Sequence, residues 1–402
     1  MRRFLLALLI GLVWLAGSLS APSAVANGVG TIYVTHGASN LVSVLSAAAN
    51  EALATVDVGL DPRAIVYSGD GRFAYVANRG SNTISVIEAP IDSVVKTYPV
   101  GAPPAAIALD PSSRYLYIAS AASNQIFVMD TATGARVGTL GTLGPATALA
   151  LTPNGSQLLA LVPSERSLSL YDVSGRIVGS VPVSESAGAL AVATTTAFVA
   201  SREANAVTLV DLARHEAAGT IPVGQAPAAL AVAPDGRTLY VVNAGDNTVS
   251  FVDLGSGRVR STLAVGRGPN AIAVAPDGAA LYVVNGRDAT VVAIDPATER
   301  IHAVIRVQPD PTGIAISPLQ ANLLPGGVPG VATAPTVEPP RQPAGTPPEN
   351  GVARPPGGAP LPPLPAALPR TGDGSGRPID LMPALSLLAL AIVTAIRRRS
   401  RG

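Results

Sequence analysis

The stretch "PDGRTLYVVNAGDNTVSFVD" (234–253) returns as "PDGAALYVVNGRDATVVAID" (276–295), 42 residues later. Each copy reads as a turn, a short apolar stretch, a loop opened by Asn, and a second apolar stretch. Outward from this pair, a small-residue stretch comes first ("AIAVA", 271–275), and a turn with a fourth stretch ("VRSTLAV", 259–265) comes last. Short runs rich in Val, Ile, Leu and Thr, punctuated by Gly, Pro, Asn and Asp, spell four β-strands per unit. Helical periodicity is absent from this whole region.

The unit recurs with Ile65, Ile107, Leu149, Leu190, Leu230, Ile272 and Ile314 at one equivalent position, spaced 42, 42, 41, 40, 42 and 42 residues apart. A period near 40–45 residues belongs to a propeller blade rather than a helical solenoid. The middle two strands are apolar at consecutive positions, as expected of a sheet covered on both faces. The ends predict how the ring closes. Residues 28–59 supply strands two to four of a unit without a first strand, and 309–318 supply a first strand with nothing after it. Together they make a composite seventh blade, so the fold class is an all-β seven-bladed propeller over 27–318, with no free seam.

"YVTH" (33–36), "YVAN" (75–78) and "YVVN" (240–243 and 282–285) give this region a resemblance to the YVTN family of seven-bladed propellers. That family occurs in exported bacterial proteins and archaeal surface layers, which implies a displayed, non-enzymatic role. The likeness weakens at 146–224, where "LALV" (159–162) and "FVAS" (198–201) replace the motif. Repeated Gly supplies positive φ at turns, and repeated Asn (Asn78, Asn82, Asn243, Asn247, Asn285) bonds its own loop, so these residues read as structural.

Both ends of the chain carry other signals. Residues 1–26 have Arg2-Arg3, an apolar run and a closing Ala24-Val25-Ala26, the layout of a secretory signal peptide; an uncleaved anchor is the alternative. Residues 319–367 form a Pro/Gly/Ala-rich stretch, with 15 prolines between 319 and 369, that reads as an extended stalk. The last 35 residues, 368–402, begin with "LPRTG" and continue through a polar spacer, an apolar run at 381–396 and "RRRSRG". This arrangement resembles a sortase-type cell-wall sorting signal. The resemblance implies recognition of Leu368, Pro369, Arg370, Thr371 and Gly372, with a cut after Thr371 and its transfer to a cell-wall peptide. The 381–396 segment would hold the membrane before sorting. A plain C-terminal membrane anchor is the alternative, and either puts the protein outside the cytoplasm.

Composition removes several function classes. The formal charge is +1, but without the signal peptide and everything after Thr371 the chain has 20 basic and 24 acidic residues, so no nucleic-acid face follows. There is no cysteine, hence no disulfide and no thiolate metal site. The positions equivalent to Arg63 at the channel mouth are Ala105, Thr147, Gly188, Ala228, Asn270 and Thr312, a ring with one charge and no carboxylate. Gluconolactonase-like propellers are similar in outline but hold a divalent metal with acidic residues there, so the sequence calls for no cofactor and no metal. His36, His215 and His302 lack a metal-binding spacing. Residues that break the repeat on the upper face are Arg63, His36, Arg79, Arg202, Arg267, Asn270 and Arg287. They are the candidates for an unidentified macromolecular partner. The reading is an exported, envelope-anchored binding, adhesion or surface-layer module; the alternative is an envelope hydrolase or lyase, lactonase-like, on the same scaffold.

Overall fold

The second and third strands of most units are buried almost end to end, as in Phe73–Asn78 and Leu41–Ser46, because sheets cover them on both faces. A computed structural model describes residues 30–318; the signal peptide, stalk and sorting signal expected from the sequence lie outside the described residues. Those residues form seven four-stranded antiparallel sheets arranged as a propeller. Among them there is no α-helix, only 3₁₀ turns at Ala89–Ile91 and Pro163–Glu165. The first blade shows the plan: Pro62–Tyr67, Phe73–Asn78, Thr83–Glu88 and Ser93–Pro99, running from the channel outward.

The composite blade forms as the sequence predicts. Pro311–Ile316 pairs antiparallel with Thr31–His36, Val34 facing Ile314, and Leu41–Ser46 and Glu51–Asp57 complete the sheet. All seven anchor residues occupy the same register against the second strand: Ile65 faces Val76, Ile107 faces Ile118 and Leu230 faces Val241. The core is correspondingly divided. Each of seven apolar clusters draws on two adjacent blades; Leu159, Leu170, Val199 and Val210, for example, join the third and fourth. Full burial of one such side chain stabilises by about 1.5–3 kcal/mol.

Two recurrent irregularities shape the surfaces. The outer strand of every blade shifts register against the third, as between Val86 and Ile87, which twists the exposed edge away from pairing with another chain. The first strand also bulges near its start. Pro62 pairs with Asn78 and Ala64 with Ala77, leaving Arg63 unpaired between them.

The closing strand leaves little room. A Cβ on Gly313 would lie 2.9 Å from the Arg63 carbonyl oxygen and 3.0 Å from Thr35 Oγ1, whereas one on Gly141 would meet nothing within 4 Å. Gly313→Ala is therefore expected to cost about 1–3 kcal/mol by overpacking. Gly141→Ala should be neutral or stabilise by about 0.4–1 kcal/mol through the unfolded chain. Urea unfolding midpoints of the two variants check the contrast; equal midpoints would remove the steric account of the seam.

Candidate functional site

A bulge points its extra residue out of the ladder, and all the ring positions at the channel mouth except Thr147, which lies just before its strand, are bulge residues. Arg63, Ala105, Gly188, Ala228, Asn270 and Thr312 are each skipped between two paired neighbours. They surround the upper end of a channel with a cavity of about 270 Å³, walled chiefly by Ala, Ile and Leu of the first strands. The ring is lopsided. On one side Ala105, Gly188 and Ala228 present nothing polar, and the exposed Thr147 supplies the one hydroxyl there. On the other, Asn270 Nδ2 donates to the Pro311 carbonyl at 2.8 Å, and Thr312 Oγ1 donates to the Pro62 carbonyl at 2.8 Å. Each of these side chains thereby ties its first strand to that of the next blade.

The polar side carries two carboxylates that the ring read from sequence omits. Asp61 and Asp310 precede the prolines of their strands and sit in left-handed backbone, φ 50° and 55°. Asp61 Oδ1 forms an ion pair with Arg63 Nε at 2.6 Å, and Asp310 Oδ2 accepts from the Ala38 amide at 3.0 Å. Both acids and the guanidinium converge on Gly37: a Cβ there would lie 2.9 Å from Asp310 Oδ2, 3.0 Å from Asp61 Oδ1 and 3.3 Å from Arg63 Cζ. Two carboxylates and one guanidinium thus cluster over a buried, bare glycine beside the channel. The sequence signal was present in the two Asp-Pro steps, since the corresponding residues before Pro104, Pro227 and Pro269 are Pro103, Ala226 and Gly268.

Most other carboxylates serve the turns. Asp130, Asp211, Asp253 and Asp295 accept from backbone amides two or three residues on, and those bonds, with nearby hydroxyls, hold them below the usual carboxylate range. Asp246 and Asp288 accept from the amides of Gln225 and Arg267 and so fasten neighbouring loops. Of the rim arginines, Arg267 is paired with Asp288 at 2.6 Å, while Arg79, Arg202 and Arg287 are exposed and have no ion-pair partner among the described residues. No group of three or more His, Cys, Asp or Glu among the described residues is placed to share an ion.

His36 has to be removed from the upper-face candidates. It is fully buried at the end of its strand, where Asn78 stands in the first blade. Its Nε2 shares a hydrogen bond with Ser43 Oγ at 2.9 Å, as Asn78 Nδ2 donates to Ser85 Oγ at 2.9 Å, and its Nδ1 faces the Pro309 carbonyl at 3.2 Å. His36 does the motif asparagine's structural work. Asn78, Asn243 and Asn285 are likewise fully buried and donate to neighbouring hydroxyls.

Burial pushes the His36 pKa below the usual histidine range, against weaker opposing pulls from the Pro309 and Gln308 backbone and Asp310. The folded state therefore holds His36 neutral, while the unfolded chain binds a proton near pH 6.5. Its contribution is intact above that pH and is lost as pH falls toward the depressed folded value. Thermal midpoints measured from pH 8 to pH 5 should drop less in His36→Asn than in the parent protein. Parallel curves would mean that His36 does not carry this dependence.

Comparison with known proteins places the fold. A family model described as Lactonase, 7-bladed beta-propeller, matches residues 30–156 and 191–317, leaving most of the third blade unmatched. A search of curated proteins finds no match. Among solved structures, the hydrazine synthase of Kuenenia stuttgartiensis aligns with a TM-score of 0.60 and 22% identity, covering 66% of this chain and 92% of that one. A functionally unknown protein from Desulfotomaculum acetoxidans aligns with a TM-score of 0.62 and 16% identity, covering 71% and 98%. The dihydro-heme d1 dehydrogenase NirN, in complex with DHE, gives 0.57 and 13%, covering 72% and 75%. At these identities the likeness is one of fold.

Proposed function

This chain belongs to the lactonase family of seven-bladed β-propellers, and on that scaffold we propose an exported, envelope-displayed binding protein that takes a hydroxyl-rich ligand at its channel mouth. The observation that carries the proposal is the cluster of Asp61, Arg63 and Asp310 over Gly37, a charged corner of the mouth. Two carboxylates offer acceptors to ligand hydroxyls, and the guanidinium offers donors in a planar fork. The cluster has a formal charge of −1, which disfavours an anion and suits a neutral polyol such as a wall glycan. Support for export and display comes from the sequence patterns at 1–26, 319–367 and 368–402.

The second reading, hydrolysis of a sugar lactone, is favoured by family membership and by a carboxylate lying beside a guanidinium. In that scheme Asp310 accepts a proton from the attacking water, and Arg63 stabilises the developing oxyanion. Two measurements on one protein separate the readings: calorimetric titration with neutral wall-glycan fragments, and base consumption at constant pH with aldonolactones. The binding reading expects saturable heat, reduced at least tenfold in affinity by Arg63→Ala (about 1.4 kcal/mol), and no ring opening above background. Turnover abolished by Asp310→Asn would replace it with the hydrolase reading.

Display has its own check. Cells treated with wall hydrolase should release a product ending at Thr371 and carrying a wall peptide. Membrane-held chain extending to Gly402 would replace sorting with a plain anchor.

A further inference from the structure

We propose that the cleft between the second and third blades is a second binding site, taking a small organic cation with an apolar body. The cleft encloses about 650 Å³ and lies on the lower face, among the turns at 110–112, 154–155 and 172–175, at the opposite end from the channel mouth. That volume is within the usual range for small-molecule sites.

The cleft exists because one inter-blade junction is left unfilled. The outer strands of the second, third and fourth blades carry glycine at equivalent points, Gly138, Gly179 and Gly219. Above Gly179 the fourth blade inserts His215, whose ring a Cβ would meet at 2.7 Å. Above Gly138 a Cβ would meet only Val128 of its own blade, at 3.5 Å. The third-blade turn is one residue shorter, so the left-handed position that His215 holds in the fourth blade (φ 56°) is held there by Gly175 (φ 80°), which has no side chain to enter the gap. Arg176 folds back onto Asp172 at 3.3 Å instead of entering the gap. The junctions differ in what fills them: between the first and second blades Tyr98 covers Gly134, at the cleft the shorter Leu140 stands in the equivalent place over Gly175, and between the fifth and sixth Arg260 pairs with Glu299 at 2.6 Å.

The lining defines the ligand. Tyr117, Val128, Leu140 and Leu158 give it apolar and aromatic walls, and Val137 and Val173 stand 55% and 79% exposed at its edge. The Tyr117 hydroxyl has no hydrogen-bond partner among the described residues. Two carboxylates also line the cleft, and among the described residues no cation is paired with Asp110. Asp110 accepts from the Tyr115 amide at 2.6 Å and from the Ser112 hydroxyl, which fixes its carboxylate in place. Asp172 is held below the usual carboxylate range by Ser174 and Arg176, so it stays ionised. An apolar body against the walls, with a positive end toward Asp110 and within reach of a tyrosine face, satisfies every group.

The test uses the full chain with 2-phenylethylammonium and its neutral counterpart 2-phenylethanol, followed by saturation-transfer NMR and calorimetry. The cation should bind at least fivefold more tightly than the alcohol. Gly138→Leu, which fills the cleft from an extended backbone position, should abolish binding of both while leaving glycan binding at the mouth unchanged. Asp110→Asn should bring the cation down to the affinity of the alcohol, and it decides the question alone if Gly138→Leu does not fold. No binding of the cation at millimolar concentration, equal binding of cation and alcohol, or binding that survives either substitution would overturn the proposal.

Discussion

One antiparallel pairing, Pro311–Ile316 against Thr31–His36, underlies every other feature of this propeller. It joins segments about 280 residues apart, and closing a chain of that length costs about 5 kcal/mol in the logarithmic term alone. The return is shared around the ring, because only a closed ring lets all seven sheets bury both faces. The seam is fastened accordingly. Thr35 and Thr312 share a hydrogen bond at 2.9 Å, Gly37 donates to the Asp310 carbonyl at 3.1 Å, and Thr312 reaches across to Pro62. Toward the lower face Tyr33 stacks on Tyr67 at 5.1 Å and donates to Asp92 at 2.5 Å. Burial pushes both phenols and the Asp92 carboxyl above their usual ranges.

Closure also explains why the candidate site stands where it does. The composite blade is assembled from two chain ends, so its loops come from distant sequence and need not copy the loops of the other units. Gly37 follows one strand, Asp310 precedes another, and Asp61 belongs to the next blade. Their convergence depends on ring closure, and a neighbouring glycine supplies the space. In the second to sixth blades the position before the first strand's proline, or its equivalent, carries only small or cyclic residues: Pro103, Pro145, Ser186, Ala226 and Gly268.

The periodic part of this architecture was legible in the sequence because seven copies of one unit average out local ambiguity. Blade number, strand order and the composite seventh sheet all followed from spacing. Bulges were not legible, since an unpaired residue such as Arg63 looks like any other strand residue until its partners Asn78 and Ala77 are known. That is why a ring counted by alignment alone left out Asp61 and Asp310, which lie two residues before the ring positions Arg63 and Thr312. His36 misled for the opposite reason. As a departure from the asparagine motif it looked functional, yet its ring reaches the same serine that asparagine reaches in a sister blade. Substitution of a motif residue marks a site only when the hydrogen bond it made is lost as well.

The two proposed sites arise from opposite departures from the repeat. At the mouth, side chains are added where the other blades have none; at the second junction, a filling side chain is withheld. The second departure leaves apolar walls without partner atoms, which is a standing loss of dispersion and burial energy. A single-core protein would spread that loss through its packing. Here the apolar clusters are separate, one between each pair of neighbouring blades, and the cluster under the cleft still packs Ile126, Leu158 and Tyr171 completely out of solvent or nearly so. Because blades interact chiefly with their neighbours, the cost stays local to one junction. A repeat fold can therefore keep an open cleft at one junction without loosening the seam that closes the ring.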